Sequence, residues 1–130
     1  MEELLMLDTF AELYAPLLKD VFTAEVRKEL DQGADGMACA RGYAERGKPE
    51  FVLAHLLLIN EPEEVKREVL AHAYEQRAVL SENKAEEFDR QFHRPFPLIK
   101  LEAQKDRMAA RQVRQGKRVR TGATKLPPVN

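Results

Sequence analysis

The chain has one cysteine, Cys39, and one serine, Ser81, in 130 residues. A lone thiol forms no intramolecular disulfide, and a chain of this length buries enough surface to fold without a covalent or metal staple. Ser81 stands in a charged segment and no base lies near Cys39 in sequence, so nucleophilic catalysis is poorly provided for. No stretch alternates apolar and polar residues for long, which argues against a sheet. No apolar run approaches the roughly 20 residues of a membrane-spanning helix. The first residues, MEELLMLD, are acidic where a signal peptide would be basic, and a reducing, cytoplasmic setting is expected. Acidic residues end at Asp106 and aromatic ones at Phe96.

What the chain does have is one greasy stretch, Phe51 to Ile59, FVLAHLLLI. It is rich in Leu and Ala rather than β-branched residues. Pro49 stands where a first helical turn tolerates proline, and Asn60-Glu61-Pro62 stops it, so the spacing predicts a central helix over Pro49–Asn60.

The other segments read as helices that cover it. Thr9 and Glu12 have capping-box spacing, and Phe10, Leu13, Leu17, Val21, Val26 and Leu30 recur at helical intervals up to a stop at Gly33. Pro16 must kink this helix or start a second one. A short helix over Met37–Arg46, ended by Gly47, should pair with the central one through a tight turn. Glu61-Pro62-Glu63-Glu64 starts another, with acidic side chains at the positive end of the helix dipole. It continues toward His93 with Val65, Val69, Ala73, Leu80, Phe88 and Phe92 as its apolar side, as one helix or as two divided near Ser81 or Asn83. After Arg94-Pro95-Phe96-Pro97, where Phe96 is expected to anchor the crossing, a last helix runs from Leu98 to about Gln115. The expected fold is all-α, a compact bundle of five or six helices. Residues 1–115 would form a single domain and 116–130 a flexible, disordered basic tail.

Charge divides the chain. Residues 107–130 hold Arg107, Arg111, Arg114, Lys117, Arg118, Arg120 and Lys125 and no acid. Removing those seven from 21 basic residues leaves 14 against 22 acidic, or −8 for residues 1–106. Arg107, Arg111 and Arg114 share a helical face, and Lys117, Arg118 and Arg120 extend it. These six are the candidate partner- or polyanion-binding residues, since arginines grip phosphate bidentately. Against nucleic acid stand the acidic body and the lack of an aromatic residue to stack on bases beyond Phe96.

The remaining motifs are incomplete. Gly42 to Lys48 fits G-x-x-x-x-G-K, but Pro49 occupies the place of the magnesium-binding hydroxyl. Ala40, Tyr43, Gly47, Leu56 and Pro62 stand at offsets similar to those of a tetratricopeptide helix pair, yet a second copy would put Arg77 in place of Tyr43, and a generic helical hairpin is expected. His55, His72 and His93 with Cys39 lack the spacing of a zinc or di-iron site, and His55 reads as a core histidine bonded to a carbonyl or carboxylate. No metal, cofactor or catalytic residue is assigned. The residues point to a non-catalytic interaction or regulatory module that binds a protein partner, with nucleic-acid binding through the basic end as the alternative. No membrane partner is expected, and the long Val65–Phe92 segment allows a homodimer.

Overall fold

The computed structural model describes residues 10–17 and 20–119. Residues 1–9, including Thr9, the side chain of Val21 and residues 120–130, including Arg120, lie outside that description. Among the described residues every regular element is helical and there is no strand. Residues 10–14 are helical and tighten into a 3-10 turn at Ala15–Leu17, where Pro16 removes a helical hydrogen bond. Five helices follow: α1 (Asp20–Asp31), α2 (Gly36–Glu45), α3 (Pro49–Leu56), α4 (Glu63–Phe92) and α5 (Pro97–Arg114).

Helix α3 is the central element. Val52, Leu53, Ala54, His55 and Leu56 are buried in succession, which is what a helix covered on most sides requires. It stops at Leu56 rather than running to Asn60. The chain turns at Leu57–Leu58 so that Ile59 can reach back to α2, where a Cβ on Gly36 would meet the Ile59 Cγ2 at 2.3 Å. Asp35 caps α2 by accepting from the Met37 and Ala38 amides, each at 3.1 Å. The turn from α2 to α3 passes over α4 at Gly47, whose φ of +67° suits glycine. A Cβ there would lie 2.8 Å from the Arg77 backbone nitrogen.

Helix α4 is one continuous helix of 30 residues, about 45 Å long. Of the apolar stripe expected, Val69 and Ala73 are buried, whereas Leu80 and Phe92 are more than half exposed. The buried residues are Val69, Leu70, Ala71, Ala73, Tyr74, Ala78 and Ala85; among them Ala71, Ala78 and Ala85 are seven apart, and α5 answers with Ala103 and Ala110, also seven apart. Small side chains at heptad spacing let two antiparallel helices approach closely, and α4–α5 is the most extensive helix pair of the molecule. Ala85 carries the seam through the segment where larger apolar residues thin out, so no break is needed at Ser81 or Asn83.

Toward the α4–α5 connection only Ala85 and Ala103 are buried, so there the two helices cover mainly each other and form an arm. Phe88, Phe92 and Phe96 close its tip with ring centroids 5.4 to 5.9 Å apart. Phe96, expected to pack the crossing onto the core, packs instead on Phe88 and Phe92 at the tip of the arm, away from the core cluster. His93 ends α4 in the left-handed conformation, φ +54°, directly before the Arg94-Pro95 turn.

After α5 ends at Arg114 and the chain turns at Gln115–Gly116, it folds back instead of leaving the body at once. Tyr14, fully buried, donates its hydroxyl to the Lys117 carbonyl at 2.8 Å, and Val119 packs against the core. Burial raises the Tyr14 pKa, which keeps this hydroxyl a donor.

Candidate interaction site

The arginines of α5 lie along one edge of the α4–α5 pair, opposite carboxylates of α4. Arg107 donates from Nε to Glu82 at 3.3 Å and pairs with the same carboxylate through Nη2. Arg114 forks onto Glu68, at 3.0 Å from Nε and 2.9 Å from Nη2, and reaches Glu75 at 2.5 Å. Pairs 82–107 and 75–114 share one antiparallel register, so the ladder follows from seven-residue spacing of Glu68, Glu75 and Glu82 on one helix and Arg107 and Arg114 on the other. Hydrogen bonds from Arg114 hold Glu68 and Glu75 below the usual carboxylate range, and Arg107 does the same to Glu82. Arg111, Lys117 and Arg118 are exposed and have no ion-pair partner among the described residues. The six candidate cations are thus not one free surface: two neutralise α4, three are unpaired, and Arg120 lies outside the description.

A charge cluster centred on the buried Asp106 stands where α3, α4 and α5 meet. Asp106, 4% exposed, accepts from Arg77 Nε at 2.9 Å and Nη2 at 2.8 Å, and Arg77 Nη1 reaches Glu50 at 3.0 Å. Burial works against the Arg77 charge, but the hydrogen bonds and charges of Asp106 and Glu50 outweigh it and raise its pKa. The Arg77 guanidinium also lies over the Tyr74 ring, 5.4 Å from its centroid, and burial pushes the Tyr74 hydroxyl up to about 12. Satisfied on both carboxylate sides, this cluster joins three helices and offers no free acid or base.

A larger concave surface lies between α2 and α4. A groove of about 550 Å³ runs between Arg41, Ala44 and Glu45 on one wall and Glu64, Val65, Glu68, Val69 and His72 on the other. Ala44 and Val69 are buried and Val65 is partly exposed, so the floor is apolar, while the carboxylates stand at the rim. His72 Nε2 lies 2.7 Å from the Glu45 Oε1, which ties the two walls together at one end. No protein-family model, curated protein or solved structure matches this chain. The groove's chemistry must therefore be read from its own residues: an apolar floor beneath a charged rim, with the His72–Glu45 pair at one end.

Other motif residues are placed in the helical framework. Gly42 to Glu45 are helical and Gly47 is pressed against α4, so the G-x-x-x-x-G-K stretch forms no phosphate loop. His55 is fully buried, its Nδ1 2.8 Å from the Phe51 carbonyl, the core bond expected of it, and its Nε2 lies 3.7 Å from the Glu29 carboxylate. Among the described residues no three or more of His, Cys, Asp and Glu are grouped to hold a metal ion, and no helix is long and apolar enough to cross a membrane. The groove was not foreseen from sequence. Its signal was a neighbouring pair, Val65 and Val69, one turn apart and flanked by Glu64 and Glu68.

Proposed function

We propose that this chain is a non-catalytic helical module of the cytoplasm that binds a segment of a protein partner in the groove between α2 and α4. The observation that carries this reading is the groove itself, with its floor of Ala44, Val65 and Val69 beneath charged rims. Hydrophobic floor contacts would supply affinity, and the rim charges would set the direction of the docked segment. Pairing of Arg107 and Arg114 with α4 carboxylates supports the protein reading over the polyanion one, because each paired guanidinium would have to leave a carboxylate before gripping a phosphate.

Exposed Arg111, Lys117 and Arg118 keep nucleic-acid binding as the second reading. Co-purification from native cells at low and high salt separates the two. The proposal predicts a specific protein that survives high salt and is lost with Val65→Glu. Nucleic acid released steeply by salt, with Val65→Glu indifferent, would support the second reading and overturn the first.

A further inference from the structure

One stripe of α5 is incompletely covered by the described residues. Leu98, Leu101, Lys105 and Met108 follow a three-four-three spacing, which puts them on one helical face. This face is distinct from the seam of Ala103 and Ala110 that α4 covers. Leu98 is 60% exposed and Met108 44%, the former the most exposed large apolar side chain among the described residues. Beside the stripe, Glu102 and Lys105 have no ion-pair partner among the described residues, whereas the opposite edge of α5 is tied to α4 by Arg107 and Arg114.

We infer that this stripe pairs with the same stripe of a second copy, antiparallel about a twofold axis that crosses the stripe midway between Leu101 and Lys105. The spacing reads the same in both directions. Reversal sets Leu98 of each copy beside Met108 of the other and Leu101 along the Lys105 stem, an isologous contact in which each residue meets its counterpart twice. The same register brings Glu102 of each copy to Lys105 of the other, so both unpaired charges find opposite partners.

The surface next to Met108 is also shaped for such a neighbour. A cavity of about 150 Å³ opens there, walled by Leu17, Met108, Ala109 and Val119 and closed by the Arg77–Asp106 pair. Its size suits one aliphatic side chain, and Leu98 of the second copy is the knob this register delivers to it. The thin end of the arm, where α4 and α5 cover mainly each other, would gain the layer of helices it lacks.

Sedimentation equilibrium of the full chain over a wide concentration range tests the inference. A dimer of twice the chain mass is expected, with Leu98→Glu raising the dimer dissociation constant by roughly tenfold or more at unchanged helical circular dichroism. Glu102→Lys and Lys105→Glu should each weaken the dimer, and the two together in one chain should restore it. A monomer at every concentration would overturn the inference, and would assign cover of the stripe to the chain itself or to a different partner. A dimer indifferent to Leu98→Glu, or charge reversals that fail to compensate, would overturn it as well.

Discussion

Two glycines five residues apart show how much a single side chain position depends on its surroundings. Gly42 lies inside α2 with nothing within 4 Å of where its Cβ would be, whereas Gly47 has positive φ and sits against the Arg77 backbone. Gly42→Ala should therefore stabilise the protein by about 0.5–1 kcal/mol through helix propensity. Gly47→Ala should destabilise it by about 1–3 kcal/mol from its backbone conformation alone, with the clash added. Urea denaturation of both variants checks this, and equal effects would remove the close approach of the α2–α3 turn to α4. Arg77 belongs to the same junction. Replacing it with Met leaves Asp106 buried without its fork of donors, and a loss of about 3–5 kcal/mol is expected by the same measurement.

Among the elements, the α4–α5 pair depends on alanines that pack more closely than larger residues could. Ala85→Leu keeps helix propensity nearly unchanged but forces the seam apart, with an expected cost of about 1–3 kcal/mol. Glu86→Leu, the next residue and exposed, should shift stability by less than about 0.5 kcal/mol. Paired thermal melts decide this, and equal shifts would contradict the seam. This element also marks the boundary of what the sequence made legible. The leucine-rich α3, the Gly47–Pro49 turn, the Glu61-Pro62 start and the Phe96 crossing could be read because strong propensities and punctuating residues act locally. The seam was hidden because alanine carries almost no hydrophobic signal, so a stripe read through Val65, Val69, Ala73, Leu80, Phe88 and Phe92 takes in two residues, Leu80 and Phe92, that are more than half exposed. Likewise the arginines of α5 read as a free face, because the glutamates that claim two of them lie 25 to 46 residues away, and nothing local to α5 announces them.

On the scale of the whole molecule, the division of charge seen along the chain is partly cancelled across space by the Glu–Arg ladder. Glu68, Glu75 and Glu82 have folded-state pKa values below their unfolded ones, so the stability they lend is complete above the unfolded value and is lost as pH falls through the folded one. Melting temperature should therefore fall as pH drops from about 5 toward 3, and Arg114→Gln should flatten that slope by removing the partner of Glu68 and Glu75. An unchanged slope in the variant would mean the ladder contributes nothing in solution. With two α5 arginines engaged in this way, the groove between α2 and α4 becomes the surface on which the functional reading rests. Site-specific photo-crosslinking tests it most directly, with a benzophenone side chain placed at position 65 in the groove and, as control, at position 104 on exposed α5. The account predicts a discrete protein adduct in native cells from position 65 and none of that mass from position 104. Adducts to nucleic acid, or the same protein trapped equally from both positions, would contradict it.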